Sequence, residues 1–159
     1  IERLSDFADR ALDEALADIY ATRYPDAPVE GFSIIGLGKH GSRELNYSSD
    51  IDPLFIYDPD RIPVRGREEP SDAARRIGQQ LVEALNSRDA DGYVFRVDMR
   101  LRPSPEVSPV ALPVEAAISY YESSALAWEQ AAYIRSRVAA GDRQLGRYFL
   151  ETINPLWWD

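Results

Sequence analysis

A chain of 159 residues, 45% of them apolar, has room for one domain with a real core and is too hydrophobic for disorder. Acids outnumber bases 27 to 18, a net charge of -9 that argues against a non-specific nucleic-acid binder. With no cysteine there are no disulfides or thiolate metal sites, which suits a reducing cytoplasm. No apolar run approaches the ~18 residues of a membrane span, and no signal peptide opens the chain. A start at Ile1 and an end at Trp157-Trp158-Asp159 read as a piece of something longer.

Residues 1–24 predict a helix capped by Ser5, with Phe7, Ala11, Leu12, Ala15, Leu16, Ile19 and Tyr20 inward; the acids of residues 1–30 read as a solvated face. Pro25 and Pro28 end it, and Gly31 to Leu37 follows as a buried strand. A glycine-rich turn and a short helix, about Ser42 to Tyr47, lead to a second strand, Asp50 to Tyr57, apolar on both faces past its aspartates and therefore interior. Pro53 is awkward there, because it donates no ladder bond: either pairing begins past it or a neighbour on that side is missing. Residues 58–70 carry three prolines and seven charges and read as a mobile loop. Ser71 caps a helix to about Asn86, with Ile77, Leu81, Ala84 and Leu85 inward. Asp91-Gly92 turns into Tyr93 to Arg102, where alternation is strict and Arg96, Asp98, Arg100 and Arg102 share the polar face. Residues 103–113, with four prolines, are a loop; about 114–124, 125–140 and 143–152 are helical, broken at Gly141-Asp142. Helices thus flank a small mixed sheet.

The chemistry concentrates in Gly36 to Tyr57. Asp50 and Asp52 fall on the same side of a strand about 7 Å apart, and two carboxylates so close call for a divalent cation between them. If Asp98 stands level with them on a neighbouring strand, three carboxylates can hold two Mg²⁺ ions about 3.5–4 Å apart, Mn²⁺ being the alternative. Gly36, Gly38 and Gly41 let the backbone approach a triphosphate, Ser42 opens the short helix, and Lys39 adds a cation. The same glycines match a dinucleotide fingerprint with Asp58 as its acid. That fold needs a full crossover helix where about six helical residues fit, and it leaves the aspartate pair unexplained. His40, the sole histidine, reads as a solvent-facing loop residue.

Three segments, LGKHGSRELNYSSDID, GYVFRVDMRLRP and WEQAAYIRSR, together resemble the glutamine synthetase adenylyltransferase/adenylyl-removing enzymes of the nucleotidyltransferase superfamily, over about Ile34 to Asp142. The resemblance implies an α+β nucleotidyltransferase fold over residues 1–112, with an N-terminal helix at 1–24, and a helical segment over 113–159. It implies Asp50, Asp52 and Asp98 as catalytic metal ligands. Gly38, Lys39, Gly41 and Ser42 become the phosphate turn, and Arg100 and Arg102 candidate contacts to orthophosphate. The helical motif falls on Trp128, Glu129, Ala132, Arg135 and Arg137, with Glu129 and Arg135 as candidate cleft residues and Ser136 where alanine is usual. Such enzymes have two similar halves. Asn46, Ser48, Ile51, Arg96 and Met99 follow the half that removes AMP from a tyrosine of glutamine synthetase by phosphorolysis, yielding ADP. The alternatives are the half that attaches AMP from ATP and a non-catalytic nucleotide sensor. Pro53 departs from the usual aliphatic residue. The resemblance further implies glutamine synthetase and the PII signalling protein as partners, with no nucleic acid or membrane.

Overall fold

The computed structural model describes residues 2–37, 52–86, 109–123 and 136–158. Among these, four helices and four strands follow one another as α1 (Glu2–Arg23), β1 (Phe32–Leu37), β2 (Asp52–Tyr57), α2 (Pro70–Asn86), β3 (Ala111–Pro113), α3 (Val114–Ser123), β4 (Arg137–Gly141) and α4 (Arg143–Trp158). The strands form one mixed sheet in the order β3-β2-β1-β4. β1 runs antiparallel to both β2 and β4, and β3 runs parallel to β2. The fold is α+β, as the sequence pattern predicts.

Strand alternation sorts the core into two layers. Phe32, Ile34, Phe55 and Tyr57 pack with Leu12, Leu16 and Tyr20 of α1 and Ile77 and Leu81 of α2. Ile35, Leu54 and Ile56 face the other way, onto Ile118 and Tyr121 of α3 and Leu145, Phe149 and Ile153 of α4. Helices cover both faces, which is why β1 and β2 carry apolar side chains on each. Every fully buried Leu, Ile or Phe contributes about 1.5–3 kcal/mol of transfer free energy.

Several expectations are corrected. Ser5 does not cap α1, because Glu2 to Leu4 already support the helix. Phe7 is 36% exposed, and the buried stripe runs through Ala8, Leu12 and Leu16 instead. Ser71 does not cap α2: Glu69 C=O accepts from the N–H groups of Asp72 and Ala73, and Pro70 takes the first helical position, where its missing N–H costs nothing. Ala84 of α2 is exposed. The loop after β2 is tied down, with Ile62 buried and Glu68 bonded to α1. The last three residues of the proline-rich loop, Ala111, Leu112 and Pro113, form β3.

The largest difference is residues 137–140, expected as helix and found in β4. Two alanines favour helix locally, but the edge of β1 offers a ladder, and tertiary pairing outweighs that preference. Gly141 ends β4 at φ 82°, and a Cβ there would lie 2.5 Å from the Phe32 carbonyl oxygen. Asp142, 7% exposed, then caps α4: its Oδ1 accepts from Leu145 N–H (3.0 Å) and its Oδ2 from Gly31 N–H (2.9 Å). Arg61 Nη1 stands 3.6 Å from the same Oδ2. One carboxylate thereby joins the start of β1, the start of α4 and the loop after β2. α4 extends beyond the expected end, to Trp158.

Candidate active site

The predicted catalytic segment leaves the sheet at Leu37 and returns at Asp52, and these two residues face each other in the β1–β2 ladder. Asp58 N–H donates to the Gly31 carbonyl (2.9 Å), which sets the alternation of that ladder. Ser33–Ile56, Ile35–Leu54 and Leu37–Asp52 are then the bonded pairs, and Gly36–Pro53 falls on a non-bonded position. The N–H that Pro53 lacks would have pointed away from β1, toward the β3 side. There β3 begins only at Phe55. The proline therefore removes no bond from either described ladder, and Leu37 and Asp52 are held in register.

A third segment reaches the same end. Arg137 opens β4 opposite Gly36, one residue before the end of β1. Arg137 is held from α1 by a two-pronged ion pair: Nη1 to Asp9 Oδ2 at 2.6 Å and Nη2 to Asp9 Oδ1 at 3.0 Å, each side chain 17% exposed. One helical turn on, Asp13 accepts from Gly141 N–H (2.8 Å) and from Arg143 Nη2 (2.8 Å). The acids of α1 are therefore not merely a solvated face; Asp9 and Asp13 clamp the helix along β4. The sequence shows only where they stand on the helix, not what they bind. Each follows a buried residue of the Ala8–Leu12 stripe by one position, which sets it on the rim of the packed face.

Of the predicted site residues, Asp52 is the one described, as the first residue of β2. Asp50, Asp98, Gly38, Lys39, Gly41, Ser42, Arg100, Arg102, Glu129 and Arg135 lie outside the described residues, as do the short helix near Ser42–Tyr47 and the strand expected over 93–102. Among the described residues, no three His, Cys, Asp or Glu side chains come together as a metal site. No described helix is long and apolar enough to cross a membrane.

Residues 1–152 match the family model described as glutamate-ammonia ligase adenylyltransferase. The chain belongs to the glutamate-ammonia ligase adenylyltransferase family. Relatives in this family include bifunctional glutamine synthetase adenylyltransferase/adenylyl-removing enzymes from Caulobacter vibrioides (45% identical), Xanthobacter autotrophicus (42%) and Rhizobium meliloti (41%). The alignments cover 98%, 98% and 96% of this chain but only 17%, 17% and 16% of those proteins. The resemblance carried by the three motifs is thus a family relationship spanning nearly the whole chain. What is matched is a small part of each glutamate-ammonia ligase adenylyltransferase.

Proposed function

We propose that this chain carries a nucleotidyl-transfer centre that removes AMP from the modified tyrosine of glutamine synthetase. The observation that supports this reading is the meeting of Leu37 and Asp52, the two ends of the first motif, with Arg137, the last residue of the helical motif, at one end of the sheet. The outer edge of β2 at Asp52–Leu54 has no neighbour among the described residues, which leaves a place beside Asp52 for the strand expected to contain Asp98. The wording of the motifs, with Asn46, Ser48, Ile51, Arg96 and Met99, supports the removing rather than the attaching direction.

In this reading Asp50, Asp52 and Asp98 would hold a divalent pair, Mg²⁺ or Mn²⁺. When bound, such a pair supplies positive charge at the oxygens that enter and leave phosphorus. Amides around Gly38 and Gly41, with Lys39 and Ser42, hold the phosphate of the AMP moiety. Arg100 and Arg102 orient orthophosphate as forked donors, and Glu129 and Arg135 line the helical side. An oxygen of orthophosphate forms the new bond to the α-phosphorus, the bond from phosphorus to the tyrosyl oxygen breaks, and the tyrosinate takes up a proton. ADP and unmodified tyrosine result. Phosphate is already an anionic nucleophile at neutral pH, so no side-chain base is required. Control by the PII signalling protein and a cytoplasmic setting belong to the same reading and rest on family resemblance.

The test is phosphate-dependent release of ADP from AMP-modified glutamine synthetase. Asp52→Asn and Asp98→Asn should each lower turnover by a factor on the order of 10³ or more with the thermal midpoint retained. Turnover preserved in either variant would refute the aspartate assignment. Incorporation of label from ATP into unmodified glutamine synthetase, without ADP release in the reverse assay, would assign the chain to the attaching reaction instead. Metal-dependent nucleotide binding with turnover in neither direction would make it a sensor.

A further inference from the structure

A second charged feature lies at the opposite end of the sheet. A cleft of about 420 Å³ opens between the last turn of α1, the loop after β2 and the start of α2, lined by Arg23, Arg65, Arg67, Glu68, Asp72 and Arg76. Four guanidiniums face two carboxylates there, in a chain whose overall charge is -9.

Both carboxylates are committed. Glu68, its side chain 8% exposed, forms the floor: Oε2 accepts from Arg23 Nη2 at 2.9 Å, and Oε1 accepts from the Tyr24 hydroxyl at 3.1 Å and from Arg65 N–H at 3.3 Å. Arg76 Nε stands 3.5 Å from Oε2. Asp72 is turned to Arg75, which does not line the cleft. Arg65 and Arg67 are exposed, and neither guanidinium has an acidic partner among the described residues. Stapling the loop to α1 requires only Arg23 and Glu68. Gathering three more cations around that pair adds repulsion, which an anion in the cleft would remove. Guanidinium forks match phosphate oxygens bidentately, and the volume falls within the usual range for small-ligand sites. Every lining residue is charged and none is aromatic, so the cleft offers no ring for a nucleobase to stack on.

We propose that this cleft binds a small phosphate-bearing polyanion, of the size of pyrophosphate, at a site separate from the glycine turn. β2 sets the separation: the turn adjoins Asp52, whereas the cleft lies past Tyr57, roughly 20 Å along the strand. Occupancy ties the end of α1 to the start of α2 through one ligand, so binding stabilises their junction. The proposal stands independently of the function proposed above.

The test is calorimetric titration of the chain with inorganic pyrophosphate at low ionic strength without divalent cations. A single site is expected. Arg65→Glu combined with Arg67→Glu should weaken it by roughly tenfold or more, and the neutral Arg65→Gln/Arg67→Gln pair should weaken it less. Both positions are exposed loop residues, and an unchanged circular-dichroism melt without ligand checks the fold. Reversal of Arg10 and Arg147, exposed on α1 and α4, should leave affinity within about twofold. The proposal fails if pyrophosphate does not bind at millimolar concentration, or if the Arg10/Arg147 reversal weakens binding equally, which would mark a general charge effect. It fails too if Lys39→Glu abolishes binding that survives the Arg65/Arg67 reversal, because the anion would then sit in the glycine turn.

Discussion

The two ends of the sheet use carboxylates for opposite purposes. At the Gly31–Tyr57 end, Asp142 and Glu68 are buried and their oxygens are taken up by backbone N–H groups, a tyrosine and arginines of the same chain. At the Leu37–Asp52 end, both ends of one motif segment and the last residue of another come together, and the acids proposed there are assigned to a ligand rather than to the fold. An acid whose hydrogen bonds are satisfied internally holds structure. Acids left in mutual repulsion hold a cation.

The sharpest way to break this contrast is to compare Asp142→Ala with Asp52→Asn. Asp142→Ala removes the cap of α4 and leaves the buried Gly31 N–H without its acceptor, and should cost about 2–4 kcal/mol in urea unfolding. Asp52→Asn should shift stability by no more than about 0.5 kcal/mol while stopping turnover. Equal destabilisation by the two would erase the distinction.

A second prediction uses pH at the buried end. The Tyr20 hydroxyl donates to the Glu30 carbonyl (2.8 Å), and burial raises its pKa above the ordinary value, with Tyr24, Asp142 and Glu30 adding to the shift. Folded Tyr20 therefore keeps its proton where the unfolded chain loses it. Its contribution is complete below about pH 10 and is lost as pH rises beyond that, at about 1.4 kcal/mol per pH unit. Tyr20→Phe should cost about 1 kcal/mol at neutral pH and flatten the alkaline limb of the stability curve by that slope. An unchanged alkaline limb would remove Tyr20 from the account.

The smallest effect expected is a gain. Ser33 Oγ is fully buried in β1 without a hydrogen-bond partner among the described residues, beneath Gly146 of α4, where a Cβ would come within 2.8 Å of it. Ser33→Ala should raise stability by up to about 1 kcal/mol, and a measurable loss would reveal a partner for the hydroxyl.

The sequence by itself determined the four described helices in outline, the two central strands and the family. Apolar side chains at helical or strand spacing report burial locally, and motif wording needs no coordinates. Leu12, Leu16, Ile35 and Phe55 were legible for that reason. Tertiary structure alone decided that 137–141 is a strand, that Asp9 and Asp13 clamp it, and that Pro53 falls on a position where no described ladder bond is lost. It also gathered Arg23, Arg65, Arg67 and Arg76 around Glu68. In each case the deciding energy comes from a partner distant along the chain: the edge of β1 for Val138 and Ala140, β4 for Asp9 and Asp13, and the end of α1 for Glu68. Local propensity carries no information about which distant group will arrive.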